Sequence, residues 1–106
     1  MDKYKNDIEL LDSILKYTYD VKYIWLAWDD LISVFEIENT YRKRKIIEAI
    51  SYLIDLKLIK TRYEYIEGSY EKQEKLKLSG QGFVCLANGG VNKMFIKNYF
   101  KARKDN

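Results

Sequence analysis

Arg42, Lys43, Arg44 and Lys45 form four consecutive cations, the densest positive run in the chain. Such groups meet phosphates, Arg as a rigid planar fork and Lys as a mobile point charge. The run lies near the start of Thr40 to Lys57, where Ile46, Ile47, Ala49, Ile50, Leu53 and Ile54 recur at helical spacing. At 3.6 residues per turn these six share one broad face, and Tyr41, Arg44, Lys45, Glu48, Tyr52 and Asp55 lie opposite. Asn39 or Thr40 is placed to cap the helix. A helix held by its back, with a basic and aromatic first turn, has the form in which a helix enters a DNA major groove. The same charges also suit a solvated helix face, so the neighbouring elements must decide.

Other chemistry is poorly provided for. The chain has no histidine, so the usual base for a Ser or Cys nucleophile is missing. Cys85, the single cysteine, sits in the apolar run Phe83-Val84-Cys85-Leu86 and reads as a packing residue. With no His and one Cys, a zinc site of the usual N/S type cannot be assembled within one chain. Asp29 and Asp30 are adjacent and do not face each other on a helix, so they suit the N-terminal dipole better than an acid/base pair. Gly80-x-Gly82 and Gly89-Gly90 lack the strand-to-helix context and following Lys-Ser/Thr of a phosphate loop. The expectation is a protein that is not an enzyme and uses no metal or cofactor. Trp25 and Trp28, with Tyr17, Tyr19 and Tyr23, offer a base-stacking platform for single-stranded nucleic acid. Core or interface packing is the commoner role for such residues.

Positioning the basic helix falls to one domain: 106 residues, 47% hydrophobic and 33% charged, support a folded core but not two. No apolar run approaches the ~20 residues that span a bilayer. The start, MDKYKNDIELLDS, lacks the apolar stretch of a signal peptide, so a cytoplasmic chain without membrane contact is expected. A lone cysteine excludes an intramolecular disulfide and fits a reducing compartment. The net charge of +3 is polarised. Residues 1–40 carry four cations against nine acids, −5, and residues 41–106 fifteen against seven, +8. That polarity favours a surface for a polyanion.

The elements follow from periodicity. Asn6 and Glu9 resemble a capping box, and Ile8, Leu11, Ile14 and Leu15 predict a first helix over 6–18. Val21 to Trp25 is β-branched and aromatic, which predicts a short strand or extended segment. Trp28, Leu31, Ile32 and Phe35 predict a second helix over 28–35, joined to the basic helix by Glu36–Asn39, a helix-turn-helix pattern. After Lys57 the period becomes two. Ile59, Thr61, Tyr63 and Tyr65 alternate with Lys60, Arg62 and Glu64. Glu67-Gly68-Ser69 makes a turn, and Tyr70 to Leu78 returns with Leu76 and Leu78 opposite Lys75 and Lys77. Gly89-Gly90 interrupts the chain, and residues 91–104 are helical in pattern.

This order is that of a winged helix-turn-helix domain, and two short motifs strengthen the likeness. Leu58-Ile59 resembles the "G-L-I" step into the wing of many bacterial and archaeal winged-helix regulators, with Lys57 in place of the Gly. Leu78-Ser79-Gly80-Gln81-Gly82-Phe83 resembles their "L-T-x-x-G-x" segment, where a hydroxyl caps the next helix. The resemblance covers roughly residues 6–88. It implies an α+β, mainly α, fold with a three-helix core, a two-stranded hairpin wing and C-terminal helices. It also implies a homodimer that binds double-stranded DNA and regulates transcription. By that likeness Tyr41, Arg42, Lys43, Arg44 and Lys45 enter the major groove, and the hairpin, with Lys60, Arg62, Lys75 and Lys77, touches backbone or minor groove. Glu64, Glu67, Glu71 and Glu74 make the wing tip acidic and weaken phosphate contact there.

The expected division is a domain over 1–90 and a basic amphipathic helix within 91–106. Lys93, Lys97, Lys101 and Lys104 form one stripe of that helix, and Val91, Met94, Phe95, Tyr99 and Ala102 another, widened by Ile96 and Phe100. The apolar surplus is assigned to dimerisation, with docking on the first helix as the alternative. For the whole chain the alternative to DNA binding is a winged-helix module whose aromatic surfaces hold a protein partner. The Ile/Lys/Tyr/Asn bias matches an A·T-rich genome such as that of a phage, virus or plasmid.

Overall fold

Leu10, Leu11, Ile14 and Leu15 recur one turn apart and are all buried, which fixes the inner stripe of helix α1, Lys5–Asp20. The computed structural model describes residues 5–39 and 41–93. Thr18, one turn further along α1, is also buried, and its hydroxyl donates to the Leu15 carbonyl at 2.7 Å. No strand forms over 21–25. The chain turns instead through bonds from the Val21, Lys22 and Ile24 N–H groups to the Tyr17, Tyr19 and Val21 carbonyls. Tyr23 and Ile24 are left exposed on this turn. Their β-favouring types express a liking for a half-buried pleated surface, which is absent here. Only Leu26–Ala27, strand β1, pairs with the sheet.

Helix α2 spans Trp28–Asn39 with Asp29 and Asp30 in its first turn. It is longer than expected. Residues 36–39 are its last turn, and the Tyr41 N–H still reaches back to the Phe35 carbonyl at 3.3 Å. Helix α3, Lys43–Asp55, therefore starts later than Asn39 or Thr40 would cap it; its cap position is Arg42. Strands β2, Ile59–Tyr65, and β3, Lys72–Leu78, form the expected hairpin. Because β1 adds to the open edge of β3, the sheet is three-stranded and antiparallel, in the order β1-β3-β2. Helix α4, Gly80–Ala87, follows, and the backbone is helical again over 90–93. The chain is thus α+β and mainly helical.

One core joins these elements: Leu31, Ile32 and Phe35 of α2, Ile46, Ala49, Ile50 and Leu53 of α3, and Leu26, Ile59, Leu76 and Leu78 of the sheet meet the α1 stripe. Two residues depart from the sequence pattern. Ile47, placed on the buried face, lies at its edge and is 37% exposed. Val91, placed on a dimerisation stripe, is fully buried in the chain's own core, and its N–H donates to Asp12 Oδ1 at 2.6 Å. Val91 is thereby withdrawn from any partner, and the core reaches past the Gly89-Gly90 interruption. Met94, Phe95, Ile96, Tyr99 and Phe100 fall outside the described residues.

The exit from α3 is a Schellman turn. The Lys57 N–H bonds to Ile54 O at 2.9 Å and the Leu58 N–H to Leu53 O at 3.0 Å. The turn requires a left-handed residue, and Lys57 supplies it at φ 66°. Ser79 caps α4 by accepting the Gly82 N–H at 2.9 Å, and its hydroxyl donates to the Lys57 carbonyl at 2.6 Å. Gly82 passes so close that a Cβ there would overlap the Leu58 carbonyl oxygen and lie 2.6 Å from Leu78 Cδ1.

Gly82→Ala is expected to lower unfolding stability by about 1–3 kcal/mol or more. Lys57→Gly should raise it by roughly 1 kcal/mol, because glycine takes the left-handed conformation without a Cβ clash. Urea denaturation measures both, and Gly80→Ala, which meets nothing within 4 Å, is the neutral control.

Candidate nucleic-acid interface

The first turn of α3 carries its cations into solvent. Arg42, Lys43, Arg44 and Lys45 are all exposed, while Ile46 beside them is fully buried and anchors the turn. Successive helix positions rotate by about 100°, so Arg44, Glu48, Ser51 and Asp55 form the centre of the outer face. Lys45 and Tyr52 lie on one flank, and Lys43 and Ile47 on the other. Arg42 has an extended backbone, φ −71° and ψ 142°, and makes no side-chain cap, and the first turn holds no acid. The positive end of the helix dipole and four cations therefore share one small surface, a combination that disfavours folding slightly and attracts anions. Arg44 Nε donates to Glu48 Oε1 at 3.3 Å, with the arginine side chain 90% exposed. An i,i+4 pair so open to water is worth about 0.3–0.5 kcal/mol and yields readily to a stronger anion.

Tyr41 behaves differently from its neighbours. It is half-buried and packs against the core, before the helix begins. It is therefore less accessible than the four cations that follow it.

The hairpin cations gather on one face. Lys60 lies opposite Lys77 and Arg62 opposite Lys75, while Ile59 opposite Leu78 and Thr61 opposite Leu76 occupy the alternate, inner positions. Trp25, just before β1, lies among them. Its ring centroid is 4.2 Å from the Arg62 guanidinium carbon, 5.5 Å from Lys77 Nζ and 5.7 Å from Lys60 Nζ. Sequence reading separated Trp25 from these cations because the contact joins residues 35 or more positions apart. The signal was the period-two alternation, which puts Trp25 on the face opposite Leu26.

Two of the four wing acids prove to be structural. Glu74 accepts the Trp28 indole N–H at 2.7 Å, fastening the hairpin to α2. It also hydrogen-bonds the Tyr63 phenol, and that bond, with the nearby carboxylate charge, raises the Tyr63 pKa. Glu64 accepts from Arg62 Nε at 2.7 Å. Glu67 and Glu71 remain exposed at the tip. Cys85 is buried, and burial, followed by the charge of Asp12, raises its thiol pKa, the opposite of an activated nucleophile. Among the described residues no group of three His, Cys, Asp or Glu could hold a metal ion, and no helix is long and apolar enough to cross a membrane.

Replacing residues 42–45 together by Ala should leave unfolding stability within about 0.5 kcal/mol of wild type, or slightly above it. Thermal and urea unfolding check this, and the result licenses that variant as a folded probe of binding.

No protein-family model matches the chain, and no curated protein or solved structure matches it significantly.

Proposed function

We propose that the chain is a winged helix-turn-helix protein that binds double-stranded DNA as a homodimeric transcriptional regulator. One observation carries the reading: α3 is buried along Ile46, Ala49, Ile50 and Leu53 and presents four exposed cations at an uncapped N-terminus. The short turn from α2 and the hairpin that follows α3 supply the rest of the pattern. In this reading Arg44, central on the outer face, exchanges Glu48 for guanine O6 and N7. Arg42, Lys43 and Lys45 neutralise phosphates on either side. Glu48 and Asp55 repel phosphates further along, which confines insertion to the helix N-terminus.

A second reading, a protein-interaction module, is favoured by the far end of the hairpin. Tyr63, Tyr65 and Ile66 are exposed there, and Tyr70 is 99% exposed. Aromatic residues at this density suit the core of a protein interface. The same titration separates the two readings.

Duplex affinity should fall as salt rises, by about 0.9 log unit per phosphate contact for each tenfold increase. Lys43→Ala should weaken all sequences alike and flatten the slope by roughly one contact. Arg44→Ala should cost about 1–3 kcal/mol on a selected site and little on random DNA. If wild type and the 42–45 Ala variant bind duplex equally, or neither binds in low salt, the DNA reading fails and the interaction module stands.

Dimerisation is assigned to the apolar residues after Lys93. Truncation after Lys93 keeps Val91 in the core and should yield a folded monomer by sedimentation equilibrium; an unchanged dimer mass would place the interface elsewhere.

A further inference from the structure

We propose that the outer face of the sheet is a second nucleic-acid surface, which takes a single strand with a base stacked on Trp25 and phosphates on Lys60, Arg62, Lys75 and Lys77. The proposal stands independently of the role given to α3.

The register makes the case. Lys60 directly faces Lys77, and Arg62 faces Lys75. Opposed positions hold their Cβ atoms about 4.5–5.5 Å apart, where like charges destabilise a sheet and opposite charges stabilise it. The Trp25 ring offsets part of that repulsion through Lys60, Arg62 and Lys77, but it neutralises no charge. Glu64 answers Arg62, but among the described residues no carboxylate lies within ion-pairing distance of Lys60, Lys75 or Lys77. The face holds positive charge in excess of what the fold neutralises.

Trp25 turns a basic patch into a more specific surface. Its half-buried ring lies within 6 Å of three of these cations. The three cations lie over the indole ring, so a base takes the ring surface they leave open or displaces them, and its backbone then meets their charges. Single-strandedness follows from the shape. Bases in a duplex have their faces covered by their neighbours, so only an unpaired base can stack on Trp25. This face is also the reverse of the one that buries Ile59, Leu76 and Leu78 against the helices.

The test uses the full chain and a fluorescein-labelled oligothymidylate at low salt, read by anisotropy and by tryptophan quenching. Wild type should bind with quenching. Trp25→Phe, which leaves Trp28 as the only indole, should lose most of the quenching while remaining folded. Trp25→Ala should weaken binding about 5- to 150-fold, the range of one base–aromatic stack. Lys60→Glu is the decisive variant, because it sets an acid opposite Lys77 and should hold or raise the melting temperature. It should nevertheless weaken oligothymidylate at least about tenfold. The 42–45 Ala variant should bind oligothymidylate nearly as wild type does, whatever it does to duplex. The proposal is overturned if wild type fails to bind. It is equally overturned if Trp25→Ala and Lys60→Glu bind as wild type while the 42–45 variant does not, which would place the strand on α3. Binding that survives Trp25→Ala and is displaced by inorganic polyphosphate would also overturn it, leaving an unspecific polyanion surface.

Discussion

Lys57 and Leu58 tie the end of α3 to the sheet and to α4. The Leu58 N–H closes the last turn of α3 on the Leu53 carbonyl, and the Leu58 carbonyl accepts the Ser79 N–H. The Lys57 carbonyl accepts the Ser79 hydroxyl, while Ser79 Oγ accepts the Gly82 N–H at the start of α4. Four elements, α3, β2, β3 and α4, are thus fixed to one another within three residues of backbone. Buried peptide groups must be paired, so this junction has little freedom to reorganise. The left-handed Lys57 and the missing Cβ of Gly82 are the conformational costs of that closeness. The direction in which α3 leaves the core, and hence the direction in which its basic first turn points, depends on it.

Acids and bases are used unequally around that frame. Asp12 and Glu74 act inside the architecture, one on the Val91 N–H and the other on the Trp28 indole, joining segments 79 and 46 positions apart. The cations stay outside. Arg42 to Lys45 crowd the positive end of a helix dipole, and Lys60, Arg62, Lys75 and Lys77 crowd one face of a hairpin. Arg44 pairs with Glu48 and Arg62 with Glu64, yet in each cluster the cations outnumber the acids that answer them. Both concentrate positive potential where a flexible polyanion can reach it, which is the electrostatic requirement for nucleic-acid contact. The acidic excess of residues 1–40 keeps the net charge low.

Periodicity alone determined much of this protein. The 3.6-residue recurrence of Leu11, Ile14 and Leu15, and of Ile46, Ile50 and Leu53, located two helices and their buried faces. The change to period two after Lys57 located the hairpin, since side-chain direction along an isolated helix or strand is a local property. The exposure of Arg44 and Lys45 followed from the same rule. The three-dimensional packing decided the rest. β1 joins β3 across about fifty residues, which no local pattern records. Tyr41 and Val91 look like surface contact residues in sequence, yet Tyr41 packs partly against the core and Val91 lies wholly within it. Trp25 met Lys60, Arg62 and Lys77, and Glu74 met Trp28, only because strand pairing brought their backbones into register. Long-range contacts depend on which surfaces must cover one another to exclude water, and that is a property of the whole chain.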